Sequence, residues 1–232
     1  MMKRNGCDPD PSSFIRLKPA GIICRNYLNF DAMIPKFQMA SNTRILIIDN
    51  NDSFTYNLLQ LAEECGGLSC EVVGEDSLDP WVVSDIDKVL ISPGPGLPTD
   101  YPRMCEVIRR FGSSKDILGI CLGHQAIAME YGASLLHMSN VKHGITSQLH
   151  FREDDKRLFA GVPESSLVGL YHSWCVDSST LPGCLDVTAV ADDGLILAIR
   201  HKKFKVRGVQ FHPESFMTPT GRIMIKNWIA SE

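Results

Sequence analysis

The sequence predicts an α/β domain: an open, mostly parallel twisted sheet with helices on both faces, plus a small antiparallel segment. Three observations carry this prediction. Ile45-Leu46-Ile47-Ile48 is a continuous apolar run, the pattern of a parallel strand buried on both faces. From there to Tyr131, short apolar runs alternate with stretches of helical period, as βαβ units require. Beyond Tyr131 strand candidates dominate, which adds the antiparallel part.

The elements follow in order. After Asp49-Asn50-Asn51-Asp52, the residues Phe54, Leu58, Leu61, Ala62 and Cys65 share one face at helical spacing. Asp52 or Ser53 can cap that helix and Gly66 can end it. Strands are expected near 69–73 and at Val89-Leu90-Ile91, then a helix over Pro102–Phe111. A strand at Asp116–Ile120 leads into a helix from Leu122 to Tyr131. Later strand candidates are 147–151, 166–171, 185–190, 195–200 and 206–211, closed by a helix over about 219–229. No internal repeat or linker divides this region.

Residues 42–232 are therefore read as one domain, a size that 232 residues accommodate. Residues 1–41 are read as an N-terminal extension, disordered or not native. Residues 1–38 hold six basic and three acidic residues, whereas the whole chain carries a net charge of −4. Prolines at 9, 11, 19 and 35 break any long helix there. A disordered tail, a transit peptide and an upstream start ahead of Met39 all fit; the aspartates argue against the transit peptide.

A pI of about 6.0 gives no electrostatic case for nucleic acid. No apolar run approaches the roughly 20 residues of a membrane helix, so a soluble, cytoplasmic protein with no membrane association is expected. The eight cysteines are scattered singly, without a C-x-x-C pair or a secretory signal. That reads as a reducing compartment, with most cysteines acting as small buried hydrophobes, and neither metal nor cofactor is expected. Cys121 alone has surroundings that point to chemistry.

Gly119-Ile120-Cys121-Leu122-Gly123 has the form of a nucleophile elbow between strand and helix, with Cys where hydrolases often carry Ser. Such a turn projects the side chain at the carboxyl edge of a sheet. A side chain at either glycine would collide with the adjoining strand or helix. The helix starting at Leu122 aims its free N–H groups and positive dipole end at the sulfur. A second element, Gly208-Val209-Gln210-Phe211-His212-Pro213-Glu214-Ser215, offers His212 as base and Glu214 as the acceptor that orients it. In a third, Ser92-Pro93-Gly94-Pro95-Gly96, the backbone N–H of Gly94 can join that of Leu122 as an oxyanion donor. Each fragment alone also reads as an ordinary turn. Their power lies in combination, because strand ends of a parallel sheet converge on one edge.

Together these elements resemble the class I (triad) glutamine amidotransferases over about residues 42–230. Gly119 to Gln125 resembles the family's nucleophile motif, and Gly208 to Ser215 its His/Glu motif. Within the family, four stretches are similar to component II of anthranilate and aminodeoxychorismate synthases: Asp49 to Asn57, Ser92 to Gly96, His143-Gly144 and Tyr171-His172-Ser173. The resemblance implies that L-glutamine is converted to glutamate and ammonia through a γ-glutamyl thioester. The ammonia would pass to a separate chorismate-binding component I subunit. It also implies Cys121 as nucleophile, His212 as base and Glu214 as orienter. Gly94 and Leu122 would form the oxyanion hole. Gly96, Gln125, Ser173 and Trp174 would hold the glutamine's α-carboxylate and α-amino groups. His172 is not the base in this scheme, and His124 is a helix-packing or interface residue.

Three positions depart from the family pattern. Ile145 stands where Lys is usual, Trp174 where Leu is frequent, and Asn51 where Tyr is common. None is in the triad. Rival readings are a glutaminase subunit of another synthase, such as guanylate or imidazole glycerol phosphate synthesis, a cysteine peptidase or esterase, and an inactive binding module. The Asp49–Asn57 stretch argues against the first. The second leaves Gln125 and Ser173 without a purpose, and retention of every chemical residue opposes the third.

Overall fold

The structure is a computed structural model and describes residues 43–66, 69–152 and 155–231. The expected N-terminal extension lies outside these. Among the described residues, strands β1 (Arg44–Asp49), β2 (Ser69–Gly74), β3 (Lys88–Ile91), β4 (Asp116–Ile120) and β10 (Val206–Val209) form a parallel sheet in the order β2-β1-β3-β4-β10. Strands β9 (Ile196–His201), β8 (Leu185–Val190) and β6 (His150–Phe151) extend it antiparallel beyond β10. A separate two-stranded ribbon pairs β5 (Leu135–Gln148) with β7 (Leu167–Val176).

Alternation along β1 divides the core. Ile45 and Ile47 face one apolar cluster with Leu58 of helix α1 (Thr55–Gly66) and Trp228 of helix α5 (Gly221–Ala230). Leu46 and Ile48 face the other, with Met104 and Ile108 of helix α2 (Pro102–Phe111) and Ile127 of helix α3 (Leu122–Glu130). All four β1 residues are fully buried, which at about 1.5–3 kcal/mol per side chain makes the strand a central source of stability. A short helix α4 (Lys156–Phe159) was not expected from the sequence.

The amino edge of the sheet is tied by charge. Lys88 at the start of β3 meets Asp116 at the start of β4 at 2.8 Å, and Trp228 Nε1 donates to the same carboxylate at 2.9 Å. The opposite, carboxyl edge is where β1, β3, β4 and β10 release their loops.

Two expectations are corrected. The 147–151 strand splits at the buried Leu149, and its first part belongs to the 14-residue β5, most of which the sequence reading missed. The reason is physical: β5 is exposed on both faces along much of its length, so it shows no one-sided alternation. Phe54 does not share the buried face of α1. That helix begins at Thr55, with Asp52 capping by accepting from Phe54 N at 2.7 Å, and the Phe54 ring turns toward the carboxyl edge.

Candidate active site

Cys121 joins β4 to α3 with φ 50 and ψ −95, a positive φ that a non-glycine residue adopts only under about 1–3 kcal/mol of strain. Its N–H donates to Val209 O at 2.8 Å, and its carbonyl accepts from Gln125 N at 3.1 Å, so both neighbouring elements hold the turn. The flanking glycines are sterically required. A Cβ on Gly119 would lie 2.4 Å from the Gly123 backbone, and one on Gly123 would lie 2.8 Å from the Ile91 side chain on β3. The elbow is thus wedged between α3 and β3, with the sulfur at the amino end of α3.

Chain continuation from β10 delivers His212 to the same edge. Its N–H donates to Gly169 O on β7 at 3.1 Å. Its Nδ1 lies 2.6 Å from Glu214 Oε1, and the His212 and Glu214 side chains are 3% and 0% exposed. Burial by itself would lower the His212 pKa. Interaction with the Cys121 thiol and with the Glu214 carboxylate overrides burial and raises it to about 10. Among the described residues, no hydrogen-bond partner of ordinary geometry closes on His212 Nε2. The raised pKa keeps the His212 imidazole protonated at neutral pH, beside the Cys121 side chain.

The rings of Phe54 and Tyr171 meet the His212 ring in edge-type contacts with centroids at 5.5 and 5.0 Å. Tyr171 also bonds Ser215 Oγ at 3.0 Å, and His143 meets its ring edge-on. Pro213 is fixed from below, because a Cβ on Gly221, the first residue of α5, would lie 1.8 Å from Pro213 O. Around Cys121, Gly94 fits against Leu122 and Asn50 so closely that a Cβ there would lie 2.6 Å from Leu122 Cδ2 and 2.8 Å from Asn50 O. Asn50 braces this loop by donating from its own N and Nδ2 to Ser92 Oγ and Ser92 O, each at 2.9 Å. Gly96, further along the same loop, has φ +74 and is exposed.

The β5–β7 ribbon borders the other side. Its ladder pairs His137 with Trp174 and then resumes at Lys142 with His172, so Ser173 has no partner in the register. Gln125 points inward: its Nε2 donates to Trp174 O at 2.8 Å and to Gln210 Oε1 at 3.1 Å.

With this geometry in place, the profile of the family Glutamine amidotransferase class-I matches residues 46–231. The chain belongs to the class I glutamine amidotransferases. This amidotransferase is 43% identical over 192 residues to anthranilate synthase component 2 of Porphyra purpurea, covering 81% of this chain and 100% of that protein. It is 41% identical over 187 residues to aminodeoxychorismate/anthranilate synthase component 2 of Bacillus subtilis, covering 80% and 95%. A solved Thermotoga maritima glutamine amidotransferase superposes with a TM-score of 0.64 at 20% identity, covering 75% of this chain and 76% of that one. That likeness establishes the shared fold.

Two other histidines of this amidotransferase, His172 and His124, are buried close to the array. His172 is buried, faces Trp174 O through Nδ1 at 2.9 Å, and burial pushes its pKa down to about 4. His124 is fully buried against Gly208 of β10, which favours helix packing over an interface, and burial pushes it to about 4 as well. The sequence reading did not single out Phe54, Asn50, Tyr171 or Gln210 for the site. Gln210 carried the best available signal, a polar residue inside an otherwise apolar strand end.

Proposed function

We propose that the chain hydrolyses L-glutamine to glutamate and ammonia and delivers the ammonia to a chorismate-binding component I subunit that makes anthranilate or aminodeoxychorismate. The observation that carries this reading is the buried Cys121–His212–Glu214 array at the carboxyl edge of the sheet. Relatives near 40% identity named as component 2 of either synthase support the choice of partner.

In this mechanism the Cys121 thiolate attacks the side-chain amide carbon of glutamine. The tetrahedral oxyanion forms beside Gly94 and Leu122, whose backbone N–H groups are the assigned donors. The His212 imidazolium gives its proton to the departing nitrogen, and ammonia leaves the γ-glutamyl thioester. Neutral His212 then takes a proton from water, which attacks the thioester, releases glutamate and regenerates the thiolate. Glu214 holds Nδ1–H throughout, so Nε2 faces the reaction. Gly96, Gln125 and the Ser173–Trp174 backbone are assigned to the α-carboxylate and α-amino groups.

The partner surface is assigned to the ribbon, where Leu136, Val141 and Ile145 are exposed. Ile145, 44% exposed, replaces the family's usual lysine and favours an apolar contact. Titrating component I into the chain with glutamine, at low and high salt, tests the assignment. Glutaminase activity should rise on complex formation, with binding only weakly sensitive to salt. An activity indifferent to the partner rejects the coupling, and binding that collapses with salt rejects the apolar role of Ile145.

A further inference from the structure

The polarity of a buried amide chain beneath the nucleophile is determined by one backbone carbonyl. Trp174 O can only accept, so the Gln125 side chain must present its NH₂ to it, at 2.8 Å. The second hydrogen of that group reaches Gln210 Oε1 at 3.1 Å. Gln210 must then turn its own NH₂ away from Gln125, and the structure places this Nε2 3.4 Å from Cys121 Sγ. His172 reinforces the origin of the chain, since its Nδ1 lies 2.9 Å from the same Trp174 carbonyl. Gln210 is fully buried and Gln125 is 3% exposed, so water does not compete for these contacts.

We propose that Gln210 is a further catalytic residue, whose side-chain amide donates a hydrogen bond to the Cys121 sulfur, and that Gln125 is the positioning residue that aims it. This rests on Cys121 being the nucleophile. A donor to sulfur in a site sealed from water favours the thiolate over the thiol, because only the anion is a strong acceptor. Gln125 thereby acquires a duty beyond the substrate contacts assigned to it, since its Nε2 is already committed to the relay.

The test is the pH dependence of Cys121 alkylation by iodoacetamide in the full chain, followed at the Cys121 peptide by mass spectrometry. The titratable groups around the sulfur, His212, Glu214, His172 and His124, are the same in the parent, Gln210→Met and Gln210→Asn, whereas Gln210→Glu adds a carboxyl beside it. Gln210→Met keeps the volume and removes the donor, and its alkylation midpoint should move up by about one pH unit. Gln210→Glu keeps the acceptor toward Gln125 and replaces the donor by a carboxyl, and its midpoint should move at least as far. Should either variant misfold, Gln210→Asn retains the amide while withdrawing it by one methylene and should shift in the same direction. A packing role alone lowers the melting temperature and leaves the midpoint in place. Folded variants whose midpoints coincide with the parent's overturn the Gln210 assignment. Alkylation of the parent that misses Cys121, with glutamine hydrolysis intact in Cys121→Ser, overturns the nucleophile reading beneath it.

Discussion

Glu214 Oε1 sits 2.6 Å from His212 Nδ1, with the Glu214 side chain fully shielded from solvent. Only Pro213 separates them, and it is gripped by α5, so the pair is set by the local chain rather than by a distant element. Glu214→Gln keeps an acceptor for Nδ1–H and removes the charge. Glutamine hydrolysis should fall by roughly 10²-fold or more. The sign of the pH effect follows: Glu214 helps raise His212 to about 10, so without it burial pulls the imidazolium's pKa down. The alkaline limb of the kcat profile should therefore move to lower pH. An unchanged limb would show that the carboxylate does not act on His212.

Gly221 bears on the same pair at one remove. A Cβ there would lie 1.8 Å from Pro213 O, and backbone atoms cannot yield as a side-chain tip can. Gly221→Ala should push the Pro213 loop outward and misplace His212 and Glu214. A displacement near 1 Å costs on the order of 10²-fold in rate, so hydrolysis should drop far more than a modest fall in melting temperature would explain. Full activity with a normal melt would remove α5 from the account of the site.

How much of this was legible in the sequence depends on the environment each residue occupies. β1, β3 and β4 were read because burial on both faces writes itself as a continuous apolar run. The elbow was read because close approach to Gly123 and Ile91 demands glycine at both flanks of Cys121. β5 was not, since a ribbon exposed on both faces imposes no apolar period. Phe54 was misplaced because helical spacing cannot say that α1 starts one residue later. Gln210 lies inside a motif that was recognised, yet its orientation is decided by Trp174 O through Gln125, two contacts far apart in sequence.

His124 and His172 are both held neutral by burial, with pKa values near 4 against an ordinary 6.5. Depressed folded-state values mean that their stability contribution is complete above pH 6.5 and is lost as pH falls toward about 4. Each should add a slope of about 1.4 kcal/mol per pH unit within that window. His212 adds none there, because its raised pKa leaves it charged in the fold as in the unfolded chain at low pH. Urea unfolding between pH 7 and 4 measures this, and His124→Asn should make the slope shallower. A parent whose stability stays flat from pH 6.5 to 4.5 would contradict the neutral assignment.

Residues 1–38 lack a core-forming pattern, and the first fully buried side chain of β1 belongs to Ile45. A chain beginning at Met39 should match the full chain in melting temperature and in glutamine hydrolysis. A clear loss in either would assign the N-terminal segment a role in the folded domain.

The thioester on Cys121 is the central claim and can be trapped. Enzyme mixed with glutamine in the presence of component I, then quenched in acid within the first turnovers, should carry one γ-glutamyl group on the peptide containing Cys121. The adduct should be absent from Cys121→Ser, whose alcohol His212 cannot activate to a comparable degree, although the variant complex should still use free ammonia. Glutamine turnover without an adduct at Cys121, or undiminished turnover in Cys121→Ser, would contradict the account.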